Sequence, residues 1–383
     1  MKFFKKNEKK VPAELEISFA RLSTEQLSIW YSFDKKRSFT ISFIDFTNFF
    51  FDQLEKKNIN ELDLIWIILK AGNITGQLDR VLNIAWKYNH HGIRSQAALA
   101  YTFKGKTEEA LALLKAAEKQ AEVLEDIQIL LEIYGIRAFI LNVQKKWQEA
   151  IGEFIKATQL TYGDDSLDQW LQMARIQHAY ALLKLGYISD ASVINNKALE
   201  ISKINNDNFF KSFALIGLAN CLDRVGKIDD SLKLYRKALL DSSSIHALQL
   251  SSISSNRLGM VLAWRRKQID DSVDFFRRAI AYAQETNSEW LSFGPMANLA
   301  IIKKMQGDFF EAQELFEGVR DRSETSGGDQ RDQLFAFINL SDIYQELGDR
   351  KKAEEFKRLA QDLARDMRTE FEKDSGIGEF SDW

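Results

Sequence analysis

Apolar and polar residues alternate along most of this chain with the period of a helix. In "TEEALALLKAA", "WQEAIGEFIKA" and "KQIDDSVDFFRRAI" the apolar residues recur at three and four, which places them on one helical face. Polar clusters separate such segments: "TYGDDSLD", "INNDN", "DSSSIH", "ETNSE" and "TSGGDQ". Three segments nearer the start, "PAELEISFARLSTEQLSIWYSF", "SFIDFTNFFFDQLEKK" and "NELDLIWIILKAG", carry the same spacing, with Ser or Asn near their beginnings as helix starts require. Proline occurs only at Pro12 and Pro295. Proline removes an amide and clashes inside a helix, so its rarity leaves helix open almost everywhere.

A longer period lies over the helical one. The small residue that begins the apolar stripe recurs as Ala110, Ala150, Ala191, Ser231, Ser272, Ala312 and Ala353, spaced 40, 41, 40, 41, 40 and 41 residues apart. Twelve positions before this marker stand Ala98, Ala138, Ala179, Ala219, Ala300 and Ser341. Seven after it stand Ala117, Ala157, Ala198, Ala238, Ala279 and Ala360, with Val319 as the exception. Five before it comes a glycine in five units, Gly105, Gly186, Gly226, Gly307 and Gly348, the residue that ends a helix in left-handed φ without strain. An aromatic often follows four after the marker, as Phe154, Tyr235, Phe276 and Phe316. Each unit reads as a pair of helices whose small residues allow close approach, with larger ones filling the gap to the next pair. One hairpin of this kind cannot bury its apolar face, but a stack can. The fifth unit departs: Gly259 lies thirteen before Ser272 and Lys267 replaces the glycine, which reads as one residue inserted in the turn.

This grammar resembles the tetratricopeptide repeat family over roughly residues 92–366, in a long form similar to the repeats of kinesin light chain and bacterial regulators. The resemblance implies an all-α, right-handed superhelical solenoid of helical hairpins with an N-terminal helical extension. The expected divisions are 1–60 for the extension, 61–91 for a degenerate hairpin with Leu78 at the marker position and Ala85 seven later, 92–366 for seven repeats, and 367–383 for an acidic tail. The aromatic run "FTNFFF" is expected to cap the first hairpin, or else to form a contact surface. The tail is expected to fray, or its Trp383 to dock in a groove.

In that family certain positions of the first helix face the concave side. Taking the small residue twelve before the marker as position eight assigns them here. The sixth position gives Gln177, Asn298 and Asn339, and the ninth gives Phe139, Tyr180, Asn220, Met260 and Ile301. The twelfth and thirteenth give Asn142, Asp223, Lys184, Arg224, Trp264, Lys304 and Met305, and the shifted fifth unit gives Asn256 and Arg257. The resemblance implies that such a groove binds peptide: asparagine both donates and accepts toward a peptide backbone. Arg224, Arg257 and Lys304 would hold carboxylates, and Phe139, Tyr180 and Trp264 would anchor apolar side chains. The alternative for the same residues is that the amides pair between repeats and the charges are solvated.

Chemistry of other kinds finds little support. Lysine plus arginine number 52 against 55 acids, a net charge of −3 that gives no general drive toward nucleic acid; Arg265, Arg266, Arg277 and Arg278 read as the wet edge of a helix pair. Cys221 is the only cysteine, so neither an internal disulfide nor a cysteine zinc site is built from this chain. It reads as a small buried residue, since no histidine or basic group lies beside it in sequence to activate it. His90 and His91 are adjacent and expected to diverge, His178 reads as a packed residue and His246 as a loop residue. "GDDSLDQW" and "NNDNFF" lack the central glycine and final glutamate of a calcium loop and read as helix caps. No phosphate-binding glycine loop occurs. "MKFFKKNEKKVPAELE" has no apolar stretch after its basic start, and "LDLIWIILKAG" is too short to span a bilayer. The sequence therefore predicts a non-enzymatic cytoplasmic interaction scaffold. It would take a protein or peptide partner, with no cofactor, no nucleic acid and no membrane insertion, and its oligomeric state is undetermined. A second reading, from layout alone, is a sensor similar to bacterial peptide-pheromone receptors of the Rap type.

Overall fold

The structure, a computed structural model, describes residues 47–48, 51–52, 54–55, 62–325 and 330–375. The first predicted helix, most of the second, with Phe46, Phe49 and Phe50 of "FTNFFF", and residues 376–383 with Trp383 lie outside the described residues, while 367–375 of the expected tail continue the last helix. Among the described residues sixteen α-helices follow one another. The first pair is α1 (Leu62–Ile74) and α2 (Leu78–Ala85). The repeats then run α3 (His91–Phe103) with α4 (Thr107–Val123), α5 (Ile127–Val143) with α6 (Trp147–Thr161), and α7 (Gln172–Lys184) with α8 (Ile188–Ile204). They continue with α9 (Asn208–Arg224) and α10 (Ile228–Ser244), then α11 (Leu248–Met260) and α12 (Ile269–Glu285). The last are α13 (Glu289–Met305) with α14 (Phe309–Thr325), and α15 (Gln330–Glu346) with α16 (Arg350–Ser375). Each helix packs on the next in sequence, and first helices also touch the first helices of neighbouring units. The fold is an all-α solenoid of stacked hairpins.

The phased small residues sit where the helices meet. Ala98, Ala138, Ala179, Ala219 and Ala300 are fully buried on first helices, and Ala110, Ala150, Ala191, Ser231, Ser272 and Ala312 are equally buried on second helices. In the last repeat the contact carries a hydrogen bond, Ser341 Oγ donating to the Ala353 carbonyl at 2.9 Å. Ser231 is buried without a hydrogen-bond partner, as a stand-in for alanine would be. The large side chains between hairpins, Tyr235, Phe276 and Phe316, are likewise fully enclosed.

All seven turns inside the repeats place the residue five before the marker in left-handed φ: Gly105, Lys145, Gly186, Gly226, Lys267, Gly307 and Gly348. Two lysines thus occupy a conformation that costs an L-residue free energy and glycine none. The extra residue of the fifth unit is present, but the helix absorbs it before the turn. Val261–Arg266 forms a π-helical turn, the usual way a helix accommodates a one-residue insertion. In the first repeat the amide after the left-handed residue reaches back from Lys106 to Tyr101. In the fifth it reaches from Gln268 to Leu262, one residue further. Gly259 makes room for this shift, since a Cβ there would lie 2.7 Å from the Phe276 ring.

The stack does not remain an open spiral. The α1–α2 turn and the end of α3 meet the start of α11 and the loop before α13. Gln249 Nε2 donates to the Asn73 carbonyl at 2.7 Å, Asn287 Nδ2 to Asp79 at 3.0 Å, Lys104 Nζ to the Asn287 carbonyl at 3.2 Å, and Ser288 Oγ to the Phe103 carbonyl. The solenoid closes on itself along this seam. Ahead of it, Phe51 is fully buried, with the Arg80 guanidinium over its ring.

Two substitutions test this packing. Ala219→Leu is expected to destabilise the chain by about 1–3 kcal/mol through overpacking, and Lys267→Gly to stabilise it by about 1 kcal/mol by removing left-handed strain. Urea unfolding followed by circular dichroism measures both, and an unchanged midpoint for Ala219→Leu contradicts the close-contact geometry.

Candidate interaction groove

The concave register of the first helices is filled at one end of the solenoid and open at the other. In the first repeat Gly92, Ser95, Gln96, Leu99, Thr102 and Phe103 are all buried. In the second, Glu132, Gly135, Ile136, Phe139 and Asn142 are buried. From the third repeat the register begins to surface at Tyr180 and Lys184, and in the fourth at Asn220, Asp223 and Arg224. In the sixth and seventh it is largely accessible, with Met305 66% exposed, Ile338 47% and Phe335 39%.

Helix α1 supplies much of the filling. Its apolar residues Ile65, Ile67, Ile68, Leu69 and Ala71 are buried, as expected for a helix without a polar face. Its polar residues reach several repeats. Asn73 Nδ2 donates to both the carbonyl and the side-chain oxygen of Gln96 at 2.9 Å. Gln96 Nε2 passes the chain on to Glu132 Oε1 at 2.8 Å, and Ser95 Oγ donates to the same oxygen. Lys70 Nζ lies 3.6 Å from Glu132 Oε2 and 5.0 Å from the ring centres of both Trp66 and Trp170. The two indoles stack 5.8 Å apart. A half-enclosed ammonium between two aromatic faces and a carboxylate is well compensated.

Three of the residues assigned to the groove from sequence are therefore structural. Phe139, Asn142 and Gln177 are buried. Asn142 Nδ2 donates to the Gln177 carbonyl at 2.8 Å and to its side-chain oxygen at 3.0 Å, repeating the Asn73–Gln96 arrangement two repeats on. Phe139 meets Phe103 edge-on, with ring centres 5.4 Å apart. The closed interior makes these positions core rather than surface.

The remaining ten stay accessible or half-buried. Lys184 lies over the Tyr180 ring at 5.3 Å and near Trp147 at 5.9 Å. Asn220 accepts from the Tyr235 hydroxyl at 2.6 Å, while Arg224 points to solvent. Asn298 Nδ2 donates to Asn256 Oδ1 at 3.0 Å, and Arg257 lies against Met260. Trp264 is half-buried in the π turn. Lys304 Nζ bridges Asn339 Oδ1 at 3.3 Å and Asp342 at 2.7 Å, and Asn339 Nδ2 turns back to the Phe335 carbonyl. The amides thus pair between repeats while lying at the accessible face. Phe335 and Ile338 were missed from sequence. They occupy the second and fifth positions of the last unit, so the same register would have found them.

The side chains considered for chemistry are differently engaged. The His90 and His91 rings do not diverge: their centres lie 4.2 Å apart, and His91 Nε2 pairs with Asp126 at 2.8 Å. His178 stacks on Phe154, and burial holds its pKa below the ordinary value. Asp207 caps α9 through the amides of Phe209 and Phe210 at 3.0 Å, and Asp164 receives the Ser166 amide, so both oxygen-rich loops contain caps. Arg265 pairs with Asp223, Arg266 with Asp229 and Arg277 with Glu311, and each of these pairs joins adjacent repeats. Among the described residues no group of three or more His, Cys, Asp and Glu is placed to hold a metal ion, and no helix is long and apolar enough to cross a membrane.

A family model described as tetratricopeptide repeat matches residues 293–366. Among solved structures, the chain is similar to a Rap protein complexed with competence and sporulation factor, with 14% identity and a TM-score of 0.55 over 90% of this chain and 96% of that one. It is similar to aspartyl phosphate phosphatase F from Bacillus subtilis, with 13% identity and a TM-score of 0.50 over 93% and 96%. It is also similar to BtubC from P. vanneervenii, with 21% identity and a TM-score of 0.50 over 63% and 95%. Likeness at these identities establishes the fold alone. No curated protein matches the chain.

Cys221 is buried, and burial pushes its thiol up to about 11. Only the unfolded chain ionises this thiol as pH rises past its ordinary value, so its contribution to stability is present below that value and is lost toward the folded one. Iodoacetamide at mildly alkaline pH is expected to label the unfolded chain readily and the native chain slowly. Rapid native labelling contradicts the burial.

Proposed function

We propose that this chain, a tetratricopeptide-repeat protein by its fold and by the family match of its last repeats, is a non-enzymatic interaction scaffold that binds an extended peptide segment of a protein partner. The groove is the open concave face of the fifth to seventh repeats. The observation that carries this reading is the change in burial along one register. The positions filled by the chain itself in the first two repeats are accessible over α13 and α15. There Met305, Phe335 and Ile338 expose apolar surface beside Asn298, Lys304 and Asn339. Exposed apolar side chains grouped with amides mark a contact surface. The amides are close enough to exchange their bonds to one another for bonds to a peptide backbone, as Asn298 and Asn256 illustrate at 3.0 Å. Arg224 and Arg257 give the approach to this face a positive character suited to acidic side chains.

A second reading is favoured by one observation, the extent of the Rap-type likeness over 90% of this chain. The compared protein is in complex with competence and sporulation factor. On this reading the peptide is a free signal and the solenoid controls a regulator protein. A panel of short secreted peptides, scored by thermal shift, separates the two: a stabilising peptide supports the sensor, and none supports the constitutive scaffold.

For the groove itself, Asn298→Ala with Asn339→Ala is expected to weaken partner binding by about 1–3 kcal/mol, the cost of leaving peptide groups unpaired, while helicity stays unchanged. The measurement is a parallel pull-down from native lysate with wild type and the double variant, followed by titration of the partner that is lost. Equal affinity for both proteins removes these residues from the groove.

A further inference from the structure

We propose that the seam between the α1–α2 turn and the fifth and sixth repeats is a releasable latch that sets the pitch of the solenoid, so that the chain has a closed form and an extended one. The hydrogen bonds of the seam join turns and polar groups, with the buried Leu248 side chain beside Gly76. Its contacts are Gln249 to the Asn73 carbonyl at 2.7 Å, Lys104 to the Asn287 carbonyl at 3.2 Å and Asn287 to Asp79 at 3.0 Å. Ser288 donates to the Phe103 carbonyl, and Lys104 also pairs with Asp79 at 2.9 Å on the near side of the seam.

Closure has a cost visible in the same residues. Gln249 Oε1 is buried without a hydrogen-bond partner, and it regains one from water when the seam opens. Fit along the seam is close: a Cβ on Gly76 would lie 2.6 Å from Thr286 Cγ2, and Gly76 holds a left-handed φ of 78° that leaves no alternative residue unstrained. Modest hydrogen bonds opposed by a buried unpaired acceptor give a small net preference, the condition for two populated states. Contacts between consecutive hairpins, such as those of α10 with α11 and of α12 with α13, are made by other residues than the hydrogen bonds of the seam. Gln249 and Asn256 share α11, and Ser288 caps the α13 that carries Asn298, so the latch and the accessible concave face are built on the same two helices.

Small-angle scattering on the full chain tests the latch with a charge reversal and its rescue. Lys104→Glu places a carboxylate beside Asp79 and the Asn287 carbonyl, and is expected to raise the radius of gyration while the circular dichroism of the helices stays that of wild type. Adding Asp79→Lys restores an ion pair of reversed sense and a donor for Asn287, and is expected to return the radius to the wild-type value. A Lys104→Glu radius equal to wild type, or a double variant that stays as expanded as the single, overturns the proposal. If Lys104→Glu loses helicity, Gln249→Ala is read by the same criterion: expansion at constant helicity supports the latch, and an unchanged radius overturns it.

Discussion

Helices in this chain meet across alanine and serine, and every larger feature is downstream of that contact. Ala138, Ala179, Ala219, Ser231 and Ser272 are fully buried because no bulkier side chain leaves room for the neighbouring helix. The approach fixes the angle and distance within each hairpin, and hence the rotation from one hairpin to the next. Accumulated over five units, that rotation brings Gln249 back to Asn73. A larger residue at any one of these contacts alters a single angle. The error is then carried along the stack to a seam whose hydrogen bonds tolerate only a few tenths of an ångström.

Burial gives the concave face two characters along the stack. In the first repeats the concave face is core, held by the ladder from Asn73 through Gln96 to Glu132. In the last repeats the same face is a surface. Helix α1 is the internal occupant of the first repeats, so the extent of the buried concave face follows how far it reaches. Ionic contacts join both first and second helices to their neighbours, as where Arg137 lies between Glu118 and Glu153 and Lys304 pairs with Asp342.

The repeat itself was legible because close packing leaves a trace in composition: a phase of small residues survives wherever two helices touch. The left-handed turns were legible for the same reason in the five units with glycine. Lys145 and Lys267 adopt that conformation without announcing it, because the surrounding repeats dictate the backbone there. The inserted residue was visible in the spacing of Gly259, yet its location in a π turn was not, since spacing counts residues and not hydrogen bonds. The site was less legible. Phe139, Asn142 and Gln177 carry the right register and the right chemistry for a groove, and they are buried. Whether a concave residue faces a partner or its own chain depends on closure over 176 residues of sequence, which no local pattern encodes.

The seam also changes the folding problem. A linear repeat array contacts only its neighbours, so it can nucleate anywhere and grow outward in either direction. Here Asn287 meets Asp79 across 208 positions, a contact that repays its loop-closure entropy only after the intervening repeats have formed. The repeats ahead of the seam therefore gain cooperativity that the seventh repeat, which follows it, does not share. Amide exchange in α15 and α16 should run ahead of exchange in α5, α7 and α9, so that the repeats with the most accessible concave face are also those that open most readily.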